Sequence, residues 1–360
     1  MKIRDRYIAK TLLTYTMVVL VIWLSIYSFF NFLAELNNIG KESYTLLSAF
    51  KYIVFQLPEI AYKQASPVIL LGCILGMGHL ATTGQLLIFR ASGASILKIT
   101  LTTLKNALIY VLVIINVGEF LAPISSNYAE NARSMDMGNN SASINKEGFW
   151  IRDGDNFINV NKNIDGKLFS GITVIEVNSA NKVQRVIKSD NSIFNNNSLD
   201  MSGSEIFSIN YASFFDSLSL KERNSYNKIV SFDQDLIDSI EKKPKDLKTW
   251  TLFKQIQFLS DNKLRSGSFE VELYNRLAKP LTLIAMILLA MLFIFGSTRD
   301  TTLGRKIFFG VALGLSFELL SRIGGALALS FDFSPLFSSI LPAIIVMFIS
   351  IILLIKKSTS

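Results

Sequence analysis

The chain alternates between long apolar runs and one long polar stretch. Six runs each supply about the 20 apolar residues that a helix needs to cross a hydrocarbon core about 30 Å thick. These runs are residues 12–33, 53–80, 99–121, 277–295, 307–329 and 336–355. The only long polar stretch lies between the third and fourth runs, so the pattern predicts three membrane spans, an inserted domain and three further spans. We place these three parts at residues 1–122, 123–270 and 271–360.

The polar stretch shows the period of β-strands. Segments that begin at Phe149, Leu168, Lys182 and Glu205 alternate apolar and polar residues between turns rich in Asn, Asp, Ser and Gly. The pattern predicts an all-β domain of antiparallel strands, arranged as a sandwich or an open barrel. Cys73 is the only cysteine and lies inside the second run, so the domain has no disulfide and depends on its own core.

Near its end the polar stretch changes to a helical period. Residues 245–260 place their apolar side chains on one predicted helical face, and a second helix from Phe269 leads into the fourth span. The predicted apolar face consists of Leu247, Trp250, Phe253, Ile256 and Leu259. We expect these helices to be stiff connectors between the inserted domain and the membrane spans.

A short segment between the second and third spans is a candidate coupling helix at about residues 82–92. Thr82 to Gly84 offers a polar start, and Gly93 is placed to end the helix. Its predicted apolar and basic face consists of Leu86, Leu87, Phe89 and Arg90. Such a helix could press on a soluble partner, but an ordinary loop fits the pattern equally well, because short apolar runs are ambiguous.

Composition and charge indicate a membrane protein and its orientation. Half of the residues are hydrophobic, 18% are charged and the mean hydropathy is +0.38. Short cytoplasmic segments carry an excess of Lys and Arg, which predicts that both termini are cytoplasmic and that the inserted domain is outside. The basic residues are Lys2, Arg4, Arg6, Lys10, Arg90, Lys98, Arg299, Arg305, Lys306, Lys356 and Lys357. The net charge of +8 then has a membrane explanation, and nucleic-acid binding is not expected.

Two features of the spans predict close or bent helices. The second run contains Pro58 and Pro67, which predict a bend in its outer part. Pairs of glycines four residues apart let helices approach closely. Such pairs are Gly72 with Gly76 in the second span and Gly310 with Gly314 in the fifth.

The fifth span also carries two opposite charges one helical turn apart, Glu318 and Arg322. A charged side chain alone in lipid costs several kcal/mol, so such a pair is a functional candidate. Two interpretations remain open. The residues form a mutual salt bridge that joins helices, or Arg322 meets a negatively charged lipid headgroup.

Motifs for catalysis or metal binding do not occur in the sequence. There is no GxxxxGK[ST] phosphate loop and no HExxH motif, and His79 is the only histidine. Residues 314–316 resemble the start of an intramembrane serine protease motif, but Phe317 replaces the Gly that follows the Ser. No catalytic or metal residue is assigned, and a transport subunit or a scaffold is expected rather than an enzyme.

Several short motifs resemble the LptF/LptG permeases, and the LptG branch is the more similar. They are DRYIAK from Asp5, RASG from Arg90, GEFLAP from Gly118, GFWIRDGDNF from Gly148, KPL from Lys279 and FIFGSTR from Phe293. The resemblance implies a six-span permease of the bacterial inner membrane with an inserted periplasmic β-jellyroll domain. Its implied cargo is lipopolysaccharide, and its implied partners are an LptB-type ATPase dimer that binds the ATP, an LptF-type permease, and LptC- and LptA-type periplasmic jellyroll proteins.

The resemblance also implies site residues. The coupling helix would meet the ATPase through Gln85, Leu86, Phe89, Arg90 and Gly93. Family members often carry an acidic residue at the position of Gln85, so a hydrogen bond rather than an ion pair is expected there.

The implied substrate contacts lie at the mouth of the membrane cavity. Lys41, Lys63 and Arg133 would meet the phosphates or core sugars of the lipid, although Asn37 and Asn38 stand where lysines are common. The other candidate substrate contacts are Phe30, Phe317 and Arg322, and spans one and five are expected to form a lateral gate.

Two other functions fit the same pattern. A permease of this architecture for another lipid would differ only in its pocket residues. A membrane-tethered scaffold would use the β domain to bind periplasmic proteins, but it would not need Glu318, Arg322 or a coupling segment.

Overall fold

The chain forms two compact units. The helical unit comprises Met1–Ile39, Leu46–Ala129 and Glu270–Ser360, and the β unit comprises Gly40–Thr45 and Glu130–Phe269. The computed structural model describes residues 3–138, 148–164, 167–178, 180, 182–195, 197–210, 217–233, 236–237, 242–296, 303–331 and 333–359. Lys2, Arg299 and the end of the predicted strand that begins at Glu205 lie outside the described residues.

The apolar runs form helices. The first half contains α1 (Ile3–Leu36), α2 (Leu46–Lys63), α3 (Ala65–Thr82), α4 (Gln85–Ala91), α5 (Ile96–Asn116) and α6 (Ala122–Asp136). The second half contains α7 (Thr249–Asp261), α8 (Gly267–Gly296), α9 (Leu303–Ser330) and α10 (Pro335–Thr359). Six described segments are long and apolar enough to cross a membrane, namely Asp5–Leu36, Ala65–Thr82, Ile96–Asp136, Gly267–Phe295, Phe308–Ser330 and Pro335–Ser358. The predicted arrangement of three spans, a β domain and three spans is confirmed.

The second apolar run is divided into α2 and α3. The division falls at Gln64, whose backbone leaves the helical region with a ψ of 8°. Pro67 causes it locally, because a proline cannot donate the hydrogen bond to the carbonyl four residues earlier. The predicted bend is therefore present, and α3 alone provides the membrane span.

The third span continues beyond the predicted boundary at Pro123. A single π-helical turn, Val117–Leu121, follows α5, and α6 then runs to Asp136. Pro123 leaves the carbonyl of Glu119 without its usual N–H donor, and the wider turn accommodates this position. The turn also brings Gly118 against the ring of Tyr62, where a Cβ atom would lie 2.1 Å from the ring.

The helical unit packs around α3, as the glycine pairs predict. A Cβ at Gly72 would lie 2.5 Å from Thr16 Oγ1 of α1, and one at Gly314 would lie 3.2 Å from Pro67. Gly76 likewise meets α1, and Gly310 meets α3. Glycines of α3 at its contact with α1, and glycines of α9 at its contact with α3, therefore let these helices approach at short range.

The β unit is built on one antiparallel sheet. Its strands are β1 (Phe149–Asp153), β2 (Asn156–Asn163), β3 (Leu168–Val177), β4 (Val183–Asn195), β5 (Ser198–Asn210) and β6 (Ser217–Ile229). Each strand pairs with the next in chain order, and the register is fixed by pairs such as Ile158 with Val174 and Val174 with Ile187. The predicted antiparallel β domain is confirmed.

The sheet curls over a shared interior. Tyr226 of β6 donates a hydrogen bond to Glu176 of β3 at 2.9 Å, and Lys228 of β6 donates one to Asn156 of β2 at 2.9 Å. In a flat sheet β3 and β6 would lie three strand spacings apart, about 14 Å. The interior contains a row of phenylalanine rings with neighbouring centroids 5.8 to 6.3 Å apart, from Phe149, Phe169, Phe194, Phe232 and Phe258. The arrangement corresponds to an open barrel, one of the two predicted forms.

The predicted helix near residues 245–260 forms as α7, but part of its predicted inner face is wrong. The buried row is Leu252, Gln255 and Phe258, while Trp250 and Phe253 point outward. Leu247 is buried as expected, but it precedes the helix. Gln255 was overlooked because a polar residue rarely marks a buried position.

Candidate functional site

The candidate coupling helix is present as α4 and starts three residues later than predicted. Thr82 ends α3, and Gly84, with φ of 76°, accepts hydrogen bonds from the N–H groups of Leu87 and Ile88, both at 3.1 Å. The backbone N–H of Gly93 donates to Arg90 O at 2.9 Å. The left-handed conformation of Gly93 (φ 84°) ends the helix as the sequence predicts.

The helix turns inward two of the residues expected at a partner surface. Leu86 is 7% exposed, and the half-buried Phe89 packs against the core of the helical unit. Leu87 and Ile88 are 71% and 65% exposed, and Arg90 is exposed beside them. We missed Ile88 in the sequence because a helix of only seven residues has too few turns to define its inner face.

Gln85 begins α4 with its side chain enclosed. Its Oε1 atom is buried and accepts no hydrogen bond from the residues that the structure describes. A buried amide oxygen without a donor is costly, typically by about 1–3 kcal/mol. The Oε1 atom would therefore have to turn outward to accept a hydrogen bond beside the exposed Leu87 and Ile88.

The candidate substrate residues of the spans differ in exposure. Phe30, on α1, is 63% exposed, whereas Phe317, on α9, is 8% exposed and lies in the core. Arg322 Nε donates to Glu318 Oε1 at 3.2 Å, so the two charges of α9 pair with each other. The guanidinium side chain nevertheless stays 60% exposed, while the Glu318 side chain is 22% exposed.

Lys63 takes part in a contact between two helices, α2 and α8. Its ammonium pairs with Glu59, one turn earlier in α2. The backbone carbonyl of Lys63 accepts a hydrogen bond from Lys279 Nζ of α8 at 3.0 Å. The Lys279 ammonium also lies 5.4 Å from the centroid of the Tyr62 ring. Pro67, four residues after Lys63, has no N–H, so Lys279 supplies a donor that the helix itself lacks.

Lys279 reaches this contact from α8. In the sequence, Lys279 stands out only as part of the KPL motif, which gives it no role of its own. The available signal was a lysine at the edge of an apolar run, but its partner lies 216 residues away in the chain.

Lys41 and Arg133 belong to the β unit, whereas Lys63 belongs to the helical unit. Lys41 is exposed on the loop after α1, and Arg133 lies partly buried near the end of α6. Ser43 joins the two segments, because its backbone N–H and its hydroxyl both donate to Asp136 O, at 3.1 and 2.9 Å. The structure therefore brings the segments of two of the three basic candidates together.

A charged cluster closes part of the β unit's interior. Glu176 accepts hydrogen bonds from Lys228 and from Tyr226, the latter at 2.9 Å, and it forms an ion pair with Arg185, whose Nε lies 2.9 Å from Oε2. Burial raises the pKa of the Glu176 carboxyl, but the hydrogen bonds and positive charges of these partners outweigh it and hold the pKa below its ordinary value. The cluster stabilises the contact between β3 and β6 across the curl.

The comparisons with known proteins agree with the motifs. The family model for the lipopolysaccharide export system permease LptF/LptG matches residues 6–356. The lipopolysaccharide export system permease protein LptG of Escherichia coli strain K12 is 26% identical over 359 residues, which cover 98% of both chains. The protein of the same name from Haemophilus influenzae strain KW20 Rd is 23% identical over 342 residues, or 95% of both chains. With six helices that can cross a membrane, this multi-pass inner-membrane protein belongs to the LptF/LptG family of lipopolysaccharide export permeases.

Proposed function

We propose that this chain is the LptG-type permease subunit of an ATP-driven complex that extracts lipopolysaccharide from the inner membrane. In this proposal it passes the lipid to a periplasmic β-jellyroll bridge that leads to the outer membrane. The observation that carries the proposal is the end-to-end match to proteins named for lipopolysaccharide export, which includes both the helical unit and the β unit. The partners are an LptB-type ATPase dimer, an LptF-type permease, and LptC- and LptA-type proteins.

The proposed orientation places both termini and α4 in the cytoplasm and the β unit in the periplasm. The distribution of Lys and Arg supports this orientation, because the loops on the other side, 31–52 and 330–335, are poorer in basic residues. ATP binds to the ATPase in this proposal, and no cofactor is assigned to the permease.

In the proposed coupling contact, α4 transmits movement from the ATPase to the spans. Leu87 and Ile88 supply an exposed apolar surface with Arg90 beside it, and Gln85 supplies a hydrogen-bond acceptor once its Oε1 atom turns outward. Leu86 and Phe89 anchor the helix to the core, so a push on the outer surface reaches α3 directly. Gly93 fixes the end of the helix.

In the proposed transport step, α1 and α9 form the lateral gate. Each CH₂ that leaves the bilayer costs about 0.8 kcal/mol, so extraction of a lipid with several acyl chains requires ATP hydrolysis. Phe30 would contact acyl chains, and Lys41, Lys63 and Arg133 would bind phosphates or core sugars. Phe317 would instead hold α9 in the core, and Arg322 would reach a headgroup while it stays paired with Glu318.

The proposal is tested by affinity purification of the tagged chain from its native membrane in mild detergent. We expect mass spectrometry to find a P-loop ATPase and a second six-span permease, and we expect lipopolysaccharide to stimulate the ATPase activity of the eluate. A matched purification of the Leu87→Asp, Ile88→Asp variant should retain the second permease and lose the ATPase. A chain that comes alone, or only with periplasmic proteins, would overturn the proposal in favour of a scaffold.

A further inference from the structure

The outward face of α7 carries two large aromatic side chains. Trp250 is 67% exposed and Phe253 is 52% exposed, and their rings are stacked with centroids 6.1 Å apart and an interplanar angle of 18°. The opposite face is buried through Leu252 and Phe258, so the rotation of the helix is fixed and the two rings cannot turn inward. An exposed apolar surface held in place in this way marks a contact site.

The sequence around these two rings is strongly basic. Residues 242–265 contain seven Lys and Arg against two Asp, a net charge of +5. Two of the cations are paired, since Lys245 lies 3.8 Å from Asp246 and Lys254 lies 2.9 Å from Asp233. The other five are exposed and flank the rings on both sides, namely Lys242, Lys243, Lys248, Lys263 and Arg265.

The chain keeps α7 within reach of a membrane. Only residues 262–266 separate Asp261, at the end of α7, from Gly267, where α8 begins. Five residues span at most about 17 Å when fully extended. Gly267–Phe295 is one of the six described segments able to cross the membrane, and its apolar run begins at residue 277. The five connecting residues and about 15 Å of helix therefore separate α7 from the apolar part of α8.

We propose that the outward face of α7, made of Trp250, Phe253 and the flanking cations, binds the anionic headgroup surface of the membrane that α8 crosses. Tryptophan is favoured at the headgroup level, and Lys and Arg are attracted to anionic lipids. A helix that combines a narrow aromatic surface with basic flanks lies on a membrane rather than across it. A protein partner fits less well, because the centres of protein interfaces are depleted in lysine. The contact gives the β unit an attachment to the membrane beyond its chain connections.

The test uses the emission of a single tryptophan in the full-length chain. Trp23→Phe and Trp150→Phe leave Trp250 as the only tryptophan, and the protein is placed in nanodiscs of phosphatidylethanolamine and phosphatidylglycerol that contain a headgroup spin label. We expect the label to quench Trp250 at least twofold more strongly than in nanodiscs of phosphatidylcholine alone. Trp150, left as the only tryptophan in a matched variant, reports how an exposed ring of β1 responds.

Two further variants keep the test decisive. A second chain, in which Trp250→Phe and Phe253→Trp move the only tryptophan to position 253, reports independently on the same face. Lys248→Glu with Arg265→Glu should lower the quenching about twofold, whereas Lys182→Glu with Lys188→Glu, on exposed positions of β4 and the residue before it, should leave it unchanged.

Three outcomes would overturn the proposal. In the first, acrylamide quenches Trp250 and the lipid label does not, which would leave the face in water. In the second, the label quenches equally with and without anionic lipid, which would remove the role of the cations. In the third, both quenchers fail once copurifying proteins are present, which would assign the face to a protein partner.

Discussion

Two neighbouring spans, α1 and α3, pack against each other but offer opposite surfaces. In the most apolar part of α3, 78% of the residues are buried, compared with 6% in α1. Glycines on α3 and α9 allow α3 to be enclosed, whereas α1 turns side chains such as Ile22 and Phe30 outward. The difference teaches that α3 is the scaffold of the helical unit and that α1 is the surface available to lipid or to another subunit.

Gly72→Ala should break this arrangement most severely. A Cβ atom at Gly72 would lie 2.7 Å from the backbone Cα of Thr16, so α1 and α3 must move apart. We expect a loss of about 3 kcal/mol in stability, measured as a lower midpoint of thermal unfolding in detergent. Gly76→Ala is the matched control, because its Cβ would be 3.4 Å from Leu12. Equal losses in the two variants would show that close approach is not what encloses α3.

Lys279→Met should weaken the scaffold at the start of α3. Without the ammonium, the carbonyl of Lys63 loses the donor that replaces the missing N–H of Pro67. This hydrogen bond is exposed and its donor is charged, so we expect its loss to cost about 1.5 kcal/mol. The same unfolding measurement tests it, and Lys98→Met, at an exposed lysine of the helical unit, should have no effect. A wild-type midpoint for Lys279→Met would contradict this role.

The double substitution Leu87→Asp with Ile88→Asp tests whether the exposed apolar side chains of α4 bind the ATPase, in contrast to the enclosed side chains of α3. Because both side chains point outward, we expect ATPase copurification to fall at least tenfold, or about 1.4 kcal/mol, while the spans still insert. Thr82→Asp, at the end of α3, is the control. Phe89→Asp should also abolish binding, but it disturbs the core and so tests the contact less cleanly. Retained binding in the double variant would favour the ordinary loop.

A photo-crosslinking residue in place of Phe30 should capture lipopolysaccharide, while one in place of the buried Leu70 of α3 should not. Lys63→Gln with Arg133→Gln should lower the yield at position 30 about threefold, because two cations no longer face the phosphates. Glutamine is preferred to Glu at position 63, where a new carboxylate would lie beside Glu59. Unchanged yield at normal expression would remove both residues from the proposed site.

Glu176→Gln should have the smallest effect. It tests whether the charged cluster contributes to the stability of the β unit's enclosed interior. The pKa of Glu176 in the folded chain is below its ordinary 4.5, so the ionised carboxylate stabilises the fold above about pH 4.5, and this contribution disappears as the pH falls through the folded pKa. When the pH falls from 6 to 4, we expect the variant to lose less free energy of unfolding than the wild type. The difference between the two losses should be below about 1 kcal/mol. Hydrogen exchange in β3 and β6 measures it, with Asp190→Asn as the control. If the variant and the wild type showed the same pH dependence, the charged cluster would not stabilise the contact between β3 and β6.

The sequence was sufficient for features that depend on period and spacing. Hydropathy predicts the six spans, alternation predicts the antiparallel strands, and the glycine pairs predict the close helix contacts. The motifs were sufficient for the family. These signals are local, so they can be recognised in the sequence without knowledge of the tertiary structure.

Other features depend on contacts that no local pattern contains. Both α1 and α3 are apolar on all sides, so the sequence could not show which one is enclosed. In α7, Trp250 and Phe253 follow the expected period, yet the β unit buries the row of Leu252 and Phe258. Period alone does not distinguish an exposed apolar row from a buried one on such a helix.

The hydrogen bond from Lys279 to the carbonyl of Lys63 has a consequence for biosynthesis. The two residues are 216 positions apart, and the larger part of the β unit, Glu130–Phe269, is translated between them. During that interval the first three spans are already made, but the break between α2 and α3 has not received its donor from α8. The carbonyl of Lys63 therefore stays without this donor until the fourth span has been made.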